Sequence, residues 1–349
     1  PSRYPRLRRG SSPRKRVRCG SSMRAPTAIL QASTDVARRS SGRSLMLPEN
    51  LLVLERGWLS SNNIVFLEGE QAALIDSGYV TQAQQTVALL EHALAGRRLT
   101  RLLNTHSHSD HIGGNAAVSA AFGCQVIVPY GIDATIAEWD EEALLLSPLG
   151  QSATRFRHDA TIAAGDESEL GGLNWRAIAV PGHDMDALAF YNPERRILIS
   201  GDALWRNGFG VIFSEILGHP EGAGGLKAAR ETLDVLARLP VEVVIPGHGP
   251  PFIEVEDAFQ RAYRRLAAFE QDIDLLVWHA LKVILAFALL ERRQLPRADL
   301  PDFLAGMSFC QSVNARYLNL SNQTLAQRLA HDLIRVGTLR DDQGVLVAL

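Results

Sequence analysis

Short apolar runs separated by Gly and Ser open the regular part of the chain. Residues 51–55, 63–67 and 72–75 have strand length and composition, and Glu68-Gly69-Glu70 reads as a hairpin turn. Thr81 begins a helix, with Val87, Leu90 and Leu94 at helical spacing and Gly96 at its end. A buried strand over 99–103 runs into Asn104-Thr105-His106, and a helix over 116–122 and a strand over 125–128 follow. Residues 131–160 are less regular, with a helix expected over 135–146. Three further strands each deliver a polar group. The run 175–180 leads to Pro181-Gly182-His183, 196–200 leads to Gly201-Asp202, and 241–245, preceded by a helix over 226–239, leads to Pro246-Gly247-His248. Loops at strand ends, held by a rigid sheet, are where function concentrates.

Beyond Pro251 the pattern turns helical. Helices are predicted over 255–270, 273–293, 299–306 and 325–336. A hairpin over 338–349 then turns at Asp341-Asp342-Gln343-Gly344, an order that suggests a winged-helix-like module. The most apolar stretch, 275–290, contains His279 and Lys282 and is short for a bilayer span, so it reads as a buried helix.

Charge changes the picture at one end only. Residues 1–44 hold twelve Lys and Arg against Asp35, a net +11, so a total of −2 leaves −13 for residues 45–349. The basic segment, rich in Arg, Ser, Pro and Gly, reads as a disordered tail or upstream sequence, with Met23 or Met46 as a start. It lacks the apolar core of a secretory signal, which points to a cytoplasmic protein, organelle import being the alternative. Deleting it is expected to leave metal content and rate unchanged. An acidic body argues against a duplex nucleic-acid partner. Cys19, Cys124 and Cys310 are too few and too scattered for a disulfide framework or a Cys-rich zinc module.

The chemistry lies in His106-Ser107-His108-Ser109-Asp110-His111. Four ligand-type side chains within six residues can converge from a tight strand-end loop but not from a regular element. Imidazole and carboxylate without thiolate suit zinc, iron or manganese. His183, Asp202 and His248, each beside a Gly, complete a set of five His and two Asp.

With these motifs residues 47–255 resemble the metallo-β-lactamase-fold superfamily. The resemblance implies an α/β, four-layer αββα sandwich spanning 45–258, with the site at one sheet edge and 259–349 as a helical extension. It implies that His106, His108 and His183 hold one divalent ion, that Asp110, His111 and His248 hold a second, and that Asp202 bridges them. Asp110 and Asp202 are then the catalytic carboxylates, and Asp76, in Ile75-Asp76-Ser77-Gly78, orients a ligand imidazole. The two ions are expected to be zinc, with iron or manganese as alternatives. The implied reaction is hydrolysis of an activated ester, thioester or lactone in a small-molecule substrate by a metal-bridging hydroxide.

Within the superfamily, a bridging Asp marks glyoxalase II-like thioesterases, lactonases and nucleases rather than true β-lactamases. Only 45 residues separate Asp202 from His248, too few for the inserted domain of the nucleic-acid-cleaving group. A mononuclear iron persulfide dioxygenase is the runner-up and a metallo-nuclease the next. A DNA-binding regulator ranks last, because 325–336 offers only Arg328, Arg335 and His331. Trp205, Arg206 and Phe209 are the expected pocket wall, and His219-Pro220 the entrance. Asp184 and Asp186 depart from the glyoxalase II pattern; they repel anionic substrates, orient a ligand or merely cap the turn. Residues 259–349 cover the site or form a homodimer.

Overall fold

The computed structural model describes residues 47–217 and 224–349, which belong to one compact unit. The basic segment 1–44 with Met23, together with Met46 and His219-Pro220, lies outside the described residues.

Six strands form the first sheet in sequence order: β1 (Leu51–Leu54), β2 (Asn63–Glu68), β3 (Gln71–Ile75), β4 (Arg98–Leu103), β5 (Gln125–Pro129) and β6 (Ala160–Ile162). The first three pair antiparallel through tight connections, whereas β3 to β6 run parallel, with longer crossovers between them. The second sheet contains β7 (Glu167–Leu170), β8 (Leu173–Ala179), β9 (Leu188–Asn192), β10 (Ile197–Gly201) and β11 (Val243–Pro246), in the order β11-β10-β9-β8-β7. Only β10 and β11 run parallel there, joined by the crossover that contains the helix Gly225–Ala237. Parallel pairing puts the C-terminal ends of β10 and β11 side by side, which is what brings Asp202 close to His248.

The two sheets enclose a core of Ile64, Phe66, Ile75, Leu103, Trp175, Phe190, Ile199 and Ile245. Trp175 meets Phe66 edge to face at 5.3 Å, and its indole N–H donates to the Leu170 carbonyl. Truncating a buried aromatic of this kind costs about 3–5 kcal/mol. The helices Ala83–Leu94 and Asn115–Phe122 cover the outer face of the first sheet. The helices Gly225–Ala237, Val255–Gln271 and Ile273–Arg292 cover the second, giving the αββα layering.

The last elements add β12 (Gln294–Pro296), β13 (Leu339–Asp342) and β14 (Val345–Ala348), a three-stranded antiparallel sheet beside the helices Leu300–Ala305, Ser308–Val313 and Asn322–Arg335. The hairpin and its preceding helix are as the sequence suggests; β12 is an addition. This region shares one continuous core with the second sheet.

Two expectations need correction. The helix expected over 135–146 is two short pieces, Asp133–Glu138 and Leu146–Leu149, because Trp139 and Leu145 adopt left-handed backbone that interrupts it. The apolar helix is 20 residues, Ile273–Arg292, so by length and composition it could cross a membrane. Leu276, Leu281, Ile284, Leu285 and Leu289 are buried in the shared core, which accounts for its composition.

Candidate metal centre

Five strand-to-loop transitions meet at one edge of the sandwich. At the end of β4, Asn104 and Asn115 lock the loop: Asn115 Nδ2 donates to Asn104 Oδ1 at 2.7 Å, and Asn104 Nδ2 donates to the His111 carbonyl at 3.3 Å. Ser77 Oγ donates to the same carbonyl at 3.0 Å. His106 and His108 lie on the extended part of the loop, while Asp110 and His111 sit in a single helical turn, Ser109–Ile112. Extended and helical backbone in one hexapeptide is what lets four ligand-type side chains face one region.

The seven side chains fall into two groups. His106, His108 and His183 form one; Asp110, His111, Asp202 and His248 form the other, and the ligand atoms of each lie within 4.8 Å of one another. Asp202 faces both groups. Its Oδ2 is 3.4 Å from His183 Nε2, and its Oδ1 is 3.5 Å from His111 Nε2. Asp110 Oδ2 accepts from His248 Nε2 at 2.9 Å, and His108 Nδ1 lies 2.7 Å from His183 Nε2. Every sequence-predicted ligand is therefore in the cluster.

Asp76 closes the network from behind. Its Oδ1 accepts from the Thr105 backbone N–H at 2.9 Å, and its Oδ2 accepts from Thr105 Oγ1 and His111 Nδ1, each at 2.8 Å. His111 Nδ1 thus donates to Asp76, and Nε2 is the atom turned toward Asp202. His183 is fixed the same way, with Nδ1 donating to the Val211 carbonyl at 2.6 Å. Glycines permit these approaches. Gly201, at φ 49°, turns the chain before Asp202 in a conformation that L side chains resist. A Cβ on Gly247 would lie 2.1 Å from Asp202 Oδ1, and one on Gly210 would lie 2.5 Å from His183 Nδ1.

Burial and neighbours divide the histidines electrostatically. Burial, reinforced by the surrounding imidazoles, drives the His106 pKa well below its ordinary value and lowers that of His108 to about 4. Both are neutral donors at pH 7. Burial opposes charge on His111 and His248 as well, but carboxylates outweigh it and raise both: Asp76 and Asp202 at His111, Asp202 and Asp110 at His248. Burial also opposes charge on Asp202, but His248 and His111 overcome it and drive this carboxyl well below the usual carboxylate range.

A divalent pair fits this donor set. Among the described residues, four buried side-chain polar atoms have no hydrogen-bond partner, and two of them are His106 Nε2 and His111 Nε2, one from each group. Leaving a buried polar atom unsatisfied is costly unless something coordinates it.

The expected pocket wall comes out differently residue by residue. Trp205 is at the site, donating its indole N–H to Asp202 Oδ1 at 3.1 Å. Arg206 is exposed and committed to Glu254 at 2.6 Å. Phe209 is buried and packs on Phe269 at 6.3 Å, so it is core. Asp184 ties two loops together: Oδ2 accepts from Ser107 N–H and Ser107 Oγ, at 3.2 and 2.8 Å, while Oδ1 accepts from the Asp186 N–H. Sequence reasoning missed Trp58, whose ring stacks on His248 at 5.4 Å with 10° between planes. It lies 48 residues before His106 with no pattern to mark it.

Solved structures share this fold. A metallo-beta-lactamase family protein of Thermus thermophilus matches at TM-score 0.54 and 21% identity, covering 87% of this chain and all of that one. A Cronobacter sakazakii metallo-beta-lactamase with a HARLDQ motif matches at TM-score 0.53 and 18% identity, covering 66% and 98%. Among curated sequences, a hydroxyacylglutathione hydrolase of Rhodopseudomonas palustris (strain HaA2) is 31% identical over 132 residues, 38% of this chain and 44% of that protein. One of Rhodospirillum rubrum is 28% identical over 256 residues, 68% of this chain and 89% of that protein. The chain thus spans less than half the length of the first relative and most of the second. The family model described as the metallo-beta-lactamase superfamily matches residues 56–248, more than half of the chain and all seven clustered side chains, and the chain belongs to that superfamily.

Proposed function

We propose that the chain is a dinuclear metal-dependent hydrolase acting on an activated ester, thioester or lactone, with zinc as the ion it holds. The observation that carries this reading is Asp202, whose Oδ2 reaches His183 of one group while its Oδ1 reaches His111 of the other. In this reading His106, His108 and His183 hold the first ion, Asp110, His111 and His248 the second, and Asp202 both. When bound, such a pair polarises a carbonyl and activates water near neutral pH.

The protein's own contribution is positioning. Asp76 holds the proton on His111 Nδ1, and the Val211 carbonyl holds it on His183 Nδ1, so both rings present Nε2. Depressed basicity keeps His106 and His108 unprotonated, so neither needs to lose a proton before it binds a cation. Asp184 fixes the Ser107 loop against the His183 loop and so holds the first trio in register.

The hydroxyacylglutathione hydrolases among the relatives support the thioester as the bond cleaved. Asp184 and Asp186, in the loop beside His183, depart from the glyoxalase II pattern, so the reading extends to the thioester and not to its glutathione part. Elemental analysis together with a panel of a glutathione thioester, an acyl-CoA, a homoserine lactone, nitrocefin and a phosphodiester tests the proposal. Two equivalents of zinc with turnover of a thioester or lactone is the expected result. Turnover of the phosphodiester alone, or a chain reproducibly free of metal, would refute it.

A further inference from the structure

We propose that Trp58 and Trp205 form a platform that selects an uncharged aromatic acyl group, an inference that rests on the hydrolase reading above. Trp58 is 59% exposed, although a side chain of this size gains most from burial. It is nonetheless held in place, parallel to His248 at 5.4 Å. Trp205 stands edge-on to both rings, 5.4 Å and 69° from Trp58 and 5.5 Å and 79° from His248. The two indoles therefore make a corner, one wall a face and the other an edge. A flat ring can stack on the first and meet the second edge to face, the two arrangements aromatic quadrupoles favour.

The corner is built before any ligand arrives. Trp205 is pinned by its bond to Asp202 Oδ1 and by backbone bonds in both directions with Gly208. Gly208 in turn packs so closely on Arg265 that a Cβ there would lie 2.5 Å from Nη1. Ordering costs on binding are correspondingly small. Among the described residues, the other half of the site has no such surface. Phe213 meets His108 at 5.6 Å and His183 at 6.0 Å, but it is buried behind Phe309 and takes part in the core.

Charge narrows the class further. The one cation of the 203–210 loop, Arg206, is paired with Glu254, so that loop offers an anionic tail no free guanidinium.

The test uses the metal-loaded full chain and N-acetylcysteamine thioesters of phenylacetate, cyclohexylacetate and acetate. Phenylacetyl and cyclohexylacetyl groups match in size and differ in flatness. Wild type is expected to favour the phenylacetyl thioester over the cyclohexylacetyl one by about tenfold in kcat/KM, carried by KM. Trp58→Leu should bring that ratio close to one, and Trp58→Phe should keep most of it. Because Trp58 is exposed, these changes leave the core intact. Equilibrium dialysis of phenylacetamide against cyclohexylacetamide reads the same preference without catalysis. Trp58-dependent dialysis with no thioester turned over would sink the hydrolase reading and leave the platform standing. Turnover with no ring preference in wild type, or a preference that survives Trp58→Leu, would overturn the platform alone.

Discussion

Asp76→Asn exchanges one oxygen for an amide nitrogen in a buried carboxylate that accepts three hydrogen bonds. The backbone tolerates the change, since Asp76 sits at φ 59° and Asn is among the few residues at ease there. With its oxygen kept toward the Thr105 N–H, the new NH2 group faces Thr105 Oγ1 and His111 Nδ1. Thr105 can accept from it; His111 Nδ1 must then accept too, and the ring proton moves to Nε2, the atom turned toward Asp202. A protonated Nε2 cannot ligate. Losing one charge-assisted hydrogen bond is worth about 1.5–3 kcal/mol, and supporting carboxylates of this kind typically carry 10–100-fold in metal affinity. The expected result is a second equivalent of zinc bound about 10–100-fold more weakly, the first equivalent little changed, and a far-ultraviolet circular dichroism spectrum like that of wild type. Thr105→Val, which removes one donor to Asp76 and leaves the His111 contact, should do less. Competitive titration against a chromophoric chelator measures both steps. Equal weakening of both equivalents would mean that the loop, rather than the His111 proton, had been disturbed; an unchanged second step would refute the argument outright.

Gly247→Ala places a methyl 2.1 Å from Asp202 Oδ1 and 3.0 Å from His111 Cε1, so the carboxylate has to move; metal analysis should return less than two equivalents, and full retention would count against the bridging role. His279, half-buried and stacked on Phe269, has its pKa lowered to about 4 by burial, with Arg265 and Lys282 adding to it. The unfolded chain binds this proton below about 6.5 and the folded one only below about 4. Its contribution is therefore intact above 6.5 and is lost as pH falls between those values, up to about 3 kcal/mol. Urea unfolding of His279→Gln should show a shallower loss of stability from pH 7 to 4 than wild type, and parallel curves would discard the assignment. Chelation should lower the melting temperature, because cations at a thousand times Kd add about 4 kcal/mol to the folded state; a melting curve indifferent to chelator and to added zinc would be incompatible with the proposed ligand set.

The ligands were legible because each follows an apolar strand, and strand ends at one edge of a sandwich are forced together by pairing. Parallel pairing of β10 with β11 is the step that converts the sequence pattern Gly201-Asp202 and Gly247-His248 into a shared site. The strands β6 and β7 escaped notice because they are only three and four residues long, lie at the sheet margins and have one buried residue each, with little apolar signal to read. β9 is fully buried and so lacks the alternation that marks a half-buried strand.

What the sequence could not supply was the relation between loops. The Gly before His248 looks, in sequence, like the one before Asp202, a residue that eases a turn. In the structure only Gly201 has left-handed backbone, while Gly247 is small because Asp202 from the neighbouring strand occupies the space its Cβ would take. Asp184 shows the same principle from the polar side. Its neighbours in sequence suggest a turn cap, and it does accept from Asp186 N–H, but its other oxygen reaches Ser107 and joins the two loops that carry the first trio. Trp58 is the strongest case, since an indole stacked on the His248 imidazole has no local signature and depends on the packing of two sheets. The side chains proposed to bind the ions are dictated by strand ends; those that would choose a substrate come from wherever the packing of distant loops leaves a face open, as Trp58 does beside His248.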